Sequence, residues 1–240
     1  IFNADSAARA IDENSADEVG QEMIKTLKDE SGIARMNAAG VLGRMGPEAM
    51  ASIPALIYSL ENDTYPLTQE SAAMALGRIG PNSMEAFTAL NRALSSEKPY
   101  IRAVAVEALG EMGPGAKAAV PALTGMLNIK EERIWQKAMK ALGNIGPDSQ
   151  TAVPALFKAF KEDINTEAAQ GAADLLLVPH AQDYYIAAGA ISKIAPVSPE
   201  HEEILAILIR NLSGSNVRVQ AAAAATIAEM GASAKPAVPA

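Results

Sequence analysis

The sequence contains no cysteine and only two histidines. Without cysteine the 240-residue chain has no disulfide, no thiol nucleophile and no thiolate metal ligand. The histidines, His180 and His201, lie 21 residues apart, and neither belongs to a motif of metal binding or hydrolysis. We therefore expect no catalytic site, no metal and no cofactor.

Aromatic residues, excess basic charge and long apolar runs are also scarce. Aromatic residues make up 4% of the chain, so its 49% hydrophobic content comes mainly from Ala, Leu, Ile, Val and Met, which suit packed helices. The net charge of -8 disfavours general nucleic-acid binding. No apolar run approaches the roughly 20 residues of a membrane span. We expect a soluble protein, with cytoplasmic location and export after removal of a signal segment both open, because the chain begins at Ile1.

One phrase recurs along the chain and indicates an internal repeat. Its four clear copies are VLGRMGPEAMASIPAL, ALGRIGPNSMEAFTAL, ALGEMGPGAKAAVPAL and ALGNIGPDSQTAVPAL. The glycines of their Gly-Pro junctions are Gly46, Gly80, Gly113 and Gly146, at steps of 34, 33 and 33 residues. Two weaker copies end at Ala195 and Gly231.

Each Gly-Pro junction is predicted to join two helices. A glycine after an apolar helix end can take the left-handed conformation that caps a helix, and the proline after it suits the first turn of the next helix. Proline recurs further along the first helix of a repeat, at Pro54, Pro121, Pro154 and Pro239. There we expect it to kink or reset the helix about two turns after its start.

The phrase GPxAxxxVPALxxxL, followed by a second helix that ends in Ala-Leu-Gly, resembles the HEAT-like repeats of the bilin-lyase-like branch. That resemblance implies an all-α fold, a right-handed α-solenoid of about six two-helix repeats, with second helices lining its concave side. The repeats are predicted at 15–46, 47–80, 81–113, 114–146, 147–195 and 196–231. Residues 1–14 are interpreted as a tail or cap, and residues 232–240 as the start of a further repeat in one 1–240 domain.

The fifth repeat is irregular. The step from Gly146 to Ala195 is 49 residues, 16 more than the 33-residue step, and the additional residues lie near 165–182. Insertions in repeat proteins commonly map to a binding face. They are also the change that a solenoid tolerates most readily, so both interpretations stay open.

Some proteins with HEAT-like repeats are enzymes, and three such classes are possible alternatives for this chain. Deoxyhypusine hydroxylases carry repeated His-Glu pairs, whereas here only His201-Glu202 forms one and Ala181 follows His180. The DNA-glycosylase branch requires a basic groove, which the net charge of -8 disfavours. A bilin-lyase-like enzyme or chaperone, acting on a cofactor-bearing protein, remains the alternative function.

Second helices carry the candidate binding residues. Seven positions before the leucine or isoleucine of the Ala-Leu-Gly ending stand Arg35, Gln69, Arg102, Trp135, Tyr184 and Gln220. Arginines there are interpreted as structural, whereas Trp135 either packs beside the insertion or anchors a partner. Two positions after the leucine or isoleucine of the Ala-Leu-Gly ending, the charge of the residue changes sign along the chain. Such a series suits a partner of mixed charge, or it is simply a solvated face. The candidate surface comprises Arg44, Arg78, Glu107, Glu111, Trp135, Asn144, Tyr184, Tyr185 and Lys193.

These features predict a non-catalytic scaffold that binds proteins through its second-helix face. Its partners would be one or more proteins, either subunits of a larger enzyme complex or further copies of the chain in a filament. Neither nucleic acid nor membrane insertion is expected.

Overall fold

The computed structural model describes residues 13–129, 132–169, 183–213, 217–231 and 233–234. These residues form α-helices and short 3₁₀ segments, with no β-strand among them, so the predicted all-α fold is confirmed. None of the helices in this part of the chain is both long and apolar enough to cross a lipid bilayer. The chain divides into two compact units, residues 1–119 and 120–240.

The first unit contains the first three helix pairs. In chain order, its described α-helices are α1 (Glu13–Thr26), α2 (Gly32–Met45), α3 (Ile53–Asn62), α4 (Pro66–Ile79), α5 (Met84–Ala93) and α6 (Pro99–Glu111). The second helices of the pairs, α2, α4 and α6, pack against one another in order. Leu42, Leu56, Leu76, Leu90 and Leu109 fill the core between the pairs and are fully buried.

The second unit continues the alternation. Its described α-helices are α7 (Val120–Met126), α8 (Glu132–Ile145), α9 (Val153–Ala169), α10 (Asp183–Ile194), α11 (Pro199–Leu212) and α12 (Val217–Met230). Helix α9 has 17 residues where α3 has 10, so the predicted insertion begins as an extension of a first helix. The remainder of the insertion, 170–182, lies outside the described residues, as do residues 1–12 and 235–240, which include Pro239.

Proline determines where three of the first helices begin. In each, a 3₁₀ segment runs from the junction glycine (Gly46–Ser52, Gly113–Ala119 and Gly146–Ala152), and the α-helix starts one residue before the proline. Proline fits this first turn because its missing N–H has no carbonyl partner within the helix there. The backbone leaves helical geometry inside two of the segments, at Ala49 and Ala116. The expected reset of the helix is therefore confirmed at Pro54, Pro121 and Pro154.

The third repeat departs from this arrangement. Gly46, Gly113, Gly146 and Gly231 have φ between 55° and 78°, but Gly80 has φ of -115°. The prediction of a left-handed glycine at every junction is therefore wrong at Gly80. At Gly46, where ψ is -140°, the backbone occupies a positive-φ region almost restricted to glycine, rather than the αL well.

Thr88 gives the physical reason for this difference. It stands where the other copies have proline, and its hydroxyl donates to the Met84 carbonyl oxygen at 2.7 Å. Because threonine and not proline occupies position 88, nothing forces the helix to break there. Helix α5 instead begins at Met84, capped by the Ser83 hydroxyl, which accepts from the Ala86 N–H at 3.2 Å.

Gly115, in the following repeat, accommodates the altered turn. A Cβ atom built on Gly115 would lie 1.6 Å from the carbonyl oxygen of Pro81. No side chain fits at that distance, although Glu48 and Asp148 occupy the matching position after their own Gly-Pro junctions. The third repeat's different turn thus depends on a glycine in its neighbour.

A second set of glycines brings neighbouring second helices together. A Cβ atom on Gly43 of α2 would lie 3.0 Å from the Ala75 Cα of α4, and one on Gly77 would lie 2.5 Å from the Ala108 carbonyl oxygen of α6. In the second unit a Cβ atom on Gly143 would lie 3.0 Å from the Ala190 Cα. The glycine of Ala-Leu-Gly therefore faces an alanine on the next second helix, and the helix backbones come close to contact.

Gly77→Ala tests this close packing. Helix propensity alone would favour alanine by about 1 kcal/mol, but overfilling a packed interior costs about 1–3 kcal/mol, and the opposing atom is a backbone oxygen that cannot rotate away. We expect a net loss of roughly 1–2 kcal/mol, measured as a lower urea midpoint by circular dichroism. Gly125→Ala is the matched control, because its Cβ would meet nothing within 4 Å. A Gly77→Ala variant as stable as the wild type would contradict the packing described.

Candidate protein-binding surface

The outer surface of the first unit's second helices is formed by four aligned positions on each helix. Their spacing of three or four residues places them on one side of a helix. We call this set the second-helix surface; its members are Ile33, Met36, Gly40 and Arg44 on α2, Leu67, Glu70, Met74 and Arg78 on α4, and Tyr100, Ala103, Glu107 and Glu111 on α6. All twelve are exposed or half-buried. The surface is apolar at the start of the helices and charged at their ends.

Within the second-helix surface, large apolar side chains are most exposed at two equivalent positions. Ile33 is 58% exposed and Leu67 is 44% exposed, and each is the second residue of its helix. Met36 and Met74, further along the same surface, are half-buried. The sequence pattern placed no binding role at any of these residues. The sequence signal that could have identified Ile33 and Leu67 is an apolar residue directly after the glycine or proline that begins a second helix.

The charged end of the surface contains four of the nine predicted site residues. Arg44 and Arg78 are exposed at the ends of α2 and α4, and Glu107 is half-buried one turn before the exposed Glu111. Arg78 and Glu111 form an ion pair between neighbouring repeats, with 3.5 Å between Nε and Oε2. Their side chains are 47% and 41% exposed, so the pair lies in water and contributes little to stability.

The other five predicted residues belong to the second unit. Asn144 and Lys193 are exposed at the ends of α8 and α10, whereas Trp135 and Tyr185 are half-buried. The backbone of Tyr184 lies in α10, but its side chain falls outside the described residues. Whether Trp135 packs or recognises a partner stays a prediction.

The side chains at the position seven residues before the leucine of Ala-Leu-Gly contact the turns between helices. Arg35 forms a bidentate ion pair with Asp63 of the next repeat, with both N–O distances 2.7 Å, and also donates to the carbonyl oxygens of Asp29 and Glu30. Arg102 likewise donates to the carbonyl oxygens of Ser96 and Glu97. These contacts support the structural interpretation of both arginines.

Gln69 occupies the same position in the second repeat and is buried. Its amide donates to the Leu60 carbonyl oxygen at 2.9 Å. Its Oε1 accepts from the Tyr100 hydroxyl at 2.8 Å and from Lys98 Nζ at 3.4 Å. Successive repeats are therefore linked at these turns by Arg35 with Asp63, and then by Gln69 with Tyr100.

Burial makes the Arg35–Asp63 pair electrostatically distinct. The two side chains are 14% and 5% exposed. The hydrogen bond from Arg35 is the main cause that holds the pKa of Asp63 below its ordinary value, and the Tyr65 N–H also stabilises the carboxylate. The same hydrogen bond raises the pKa of Arg35.

His201 lies inside the second unit and not on its surface. It is 2% exposed, and its Nε2 has no hydrogen-bond partner. Burial lowers its pKa, which the neighbouring charge of Glu202 partly opposes. His180 falls outside the described residues. Among the residues that the structure does describe, no three His, Asp or Glu side chains are grouped as a metal ion would require.

The fold and these surfaces define an all-α repeat protein with exposed second helices. A family model described as HEAT repeats matches residues 53–134 and 88–177, which together cover more than half of the chain. The chain belongs to the HEAT repeat family. A comparison with curated protein sequences finds no match.

Solved structures of related architecture agree with this assignment of the fold. The complex of CpcE and CpcF of phycocyanin lyase from Nostoc sp. PCC7120 is 24% identical, with 87% of this chain and 75% of that chain covered and a TM-score of 0.58. Kap121p is 17% identical, with coverages of 94% and 26% and a TM-score of 0.57. A designed armadillo repeat protein in complex with the peptide (KR)4 is 17% identical, with coverages of 89% and 100% and a TM-score of 0.52.

Asp63→Asn tests the ion pair between repeats. It leaves Arg35 without its carboxylate, so we expect a lower urea midpoint at pH 7. Because the folded-state pKa of Asp63 lies below the ordinary value of about 4, the wild-type pair stabilises the protein above that pH and loses this contribution as the pH falls through the lowered pKa. The variant should lack that part of the acid destabilisation.

Glu61→Gln is the control, since Glu61 pairs with Arg92 at 2.6 Å but with side chains 38% and 67% exposed. Its effect on the urea midpoint should be much smaller than that of Asp63→Asn. Equal effects would show that burial does not strengthen the Arg35–Asp63 pair.

His201→Leu tests the buried histidine. A lowered folded-state pKa means that the unfolded chain binds a proton first, so the wild type should lose stability as the pH falls below the ordinary histidine value of about 6.5. The variant should show a flatter dependence of the urea midpoint on pH between about 6.5 and 5. Identical slopes for the two proteins would contradict a histidine buried in its neutral form.

Proposed function

We propose that this protein is a non-catalytic binding module that holds a protein partner along the second-helix surface, as a scaffold within a larger assembly. One observation supports the proposal most directly: Ile33 and Leu67 expose large apolar side chains at equivalent positions of neighbouring second helices. The helices carrying them are held at close range by Gly43 against Ala75. The surface is therefore presented by a rigid support.

Burial of this surface would contribute to binding. Complete burial of one fully exposed leucine or isoleucine side chain contributes about 1.5–3 kcal/mol. Because Ile33 and Leu67 are 58% and 44% exposed, the two together can contribute about as much as one such side chain, which is comparable to one interface hot spot. Met36 and Met74 belong to the same surface, and their flexible side chains can adapt to a partner's shape. Arg44, Arg78 and Glu111 at the other end of the surface form a polar rim that would orient the partner.

The partner would be a subunit of a larger complex or a second copy of the chain in a filament. Both fit a HEAT repeat protein, whose second helices present equivalent residues in successive repeats. Sedimentation of the purified protein over a range of concentrations separates the two. Growth of large species from the chain alone supports the filament, and a monomer supports a different partner.

The paired substitution Ile33→Glu with Leu67→Glu tests the surface. Charge at both anchors should reduce recovery of specific partners from the source organism's extract at least tenfold, measured by quantitative mass spectrometry, because the apolar contact is lost. The control pair is Tyr58→Glu with Met84→Glu, which changes first-helix residues that are 69% and 74% exposed. Unchanged recovery with the surface pair, or equal loss with the control pair, would refute the proposal.

A second experiment with the purified protein tests the alternative function, that of a bilin-lyase-like enzyme or chaperone. It would be mixed with free bilin and an acceptor phycobiliprotein, and the visible absorbance followed over time. Covalent attachment of the chromophore, seen as a new absorbance band, would favour the lyase over the scaffold.

A further inference from the structure

A single carboxylate lies among the apolar residues of the second-helix surface. Glu70 of α4 is half-buried, one turn after the exposed Leu67 and one turn before the half-buried Met74 on the same side of the helix. The neighbouring second helices carry Met36 and Ala103 at the equivalent position, and both are half-buried. The aligned positions around this carboxylate, along α4 and on both neighbouring helices, are therefore apolar.

The repeat does not require a charge at this position. It lies six residues before the leucine or isoleucine of the Ala-Leu-Gly ending, and among the six repeats of the sequence it is charged only at Glu70. The other five copies have uncharged residues: Met36, Ala103, Gln136, Tyr185 and Ala221. The carboxylate is thus a feature of the second repeat alone, and the shared packing of the repeats does not depend on it.

Glu70 also lacks a charge partner within the protein. Among the residues that the structure describes, none forms a hydrogen bond or an ion pair with its carboxylate, whereas Asp63 is paired with Arg35 and Glu111 with Arg78. Its own helix supplies no cation, because the residues three or four positions away are uncharged: Pro66, Leu67, Ala73 and Met74. A carboxylate that is partly removed from water without a cation is left uncompensated, and a cation from a partner would compensate it.

Two contacts hold the starts of α2 and α4 together near this carboxylate. The Thr68 hydroxyl donates to the Gly32 carbonyl oxygen at 3.0 Å, and a Cβ atom built on Gly32 would lie 2.7 Å from Cγ of Tyr65. Ile33 directly follows Gly32, and Leu67 directly precedes Thr68, so the two exposed side chains belong to helix turns that are bonded to each other. The surface therefore combines a pair of apolar side chains with one carboxylate a helical turn further along α4.

We propose that Glu70 binds a lysine or arginine of a protein segment whose neighbouring apolar side chains pack on Ile33 and Leu67. This inference rests on the proposed function and names the chemistry of the partner at the same surface. Apolar contacts around the ion pair would exclude water, and a charge pair shielded from water attracts more strongly than one in bulk solvent. An acidic segment or a nucleic acid would instead bring negative charge against the carboxylate.

The test begins with a library of random peptides displayed on phage and selected on the wild-type protein. Enriched peptides should carry a lysine or arginine between apolar residues. A fluorescein-labelled synthetic copy of an enriched peptide is then measured by fluorescence anisotropy at about 0.15 M salt. Glu70→Gln should weaken binding about tenfold or more, as should glutamine in place of the peptide's basic residue. The two changes together should weaken binding little more than either one alone, because both remove the same ion pair.

Glu85→Gln is the matched control, because Glu85 is an exposed carboxylate on the first helix α5 of the same unit. It should leave the affinity for the peptide nearly unchanged. The urea midpoint gives a second readout that separates recognition from structure. Since Glu70 has no partner in the free protein, Glu70→Gln should leave the midpoint unchanged or raise it. A lower midpoint would show that Glu70 supports the fold, and would overturn the inference.

Three binding results would also overturn it: selected peptides without the basic residue between apolar ones, equal effects of Glu70→Gln and Glu85→Gln, or independent effects of the changes in protein and peptide. The proposed function is tested separately, through the paired substitution of Ile33 and Leu67. Peptides whose binding depends on Ile33 and Leu67 but not on Glu70 would leave the scaffold in place and remove the basic partner.

Discussion

The close approach of neighbouring second helices is the constraint on which each unit depends. Gly43 faces Ala75, Gly77 faces Ala108, and Gly143 faces Ala190, in each case without room for a larger side chain. A side chain between two such helices would move them apart and open the leucine core beneath. The same proximity aligns equivalent residues across neighbouring repeats, so surface positions such as Ile33 and Leu67 can act together. The stability of each unit and the alignment of the second-helix surface therefore have a common origin.

Polar contacts at the turns add specificity to this apolar packing. The same alanines and leucines recur from repeat to repeat. Their packing therefore sets the distance between neighbouring helices but does little to determine which two repeats become neighbours. Arg35 with Asp63 and Gln69 with Tyr100 use one helical position but different chemistry, so each link suits its own pair of repeats. Removing one member leaves a buried polar group unsatisfied, which penalises incorrect packing.

Much of the fold could be predicted because the signal was repeated. The Gly-Pro junctions, the prolines and the alternation of helices were visible in several copies. Gly80 was mispredicted even though Thr88, in place of proline, carried the relevant difference. The second-helix surface was less accessible to sequence reasoning, because the exposure of a side chain depends on how its helix is rotated against the neighbouring helix. In the sequence Ile33 and Leu67 are indistinguishable from core residues, although both are exposed.

The fit between Gly115 and the Pro81 carbonyl limits how this protein can be redesigned by averaging its repeats. Consensus engineering replaces each unusual residue with the one most frequent at its position, on the assumption that repeats are independent modules. Here Glu48 and Asp148 would suggest an acidic residue at 115, yet a Cβ atom there would overlap the carbonyl of the preceding repeat. The unusual turn and its glycine must be exchanged together, so the smallest unit that can be safely redesigned is a pair of adjoining repeats.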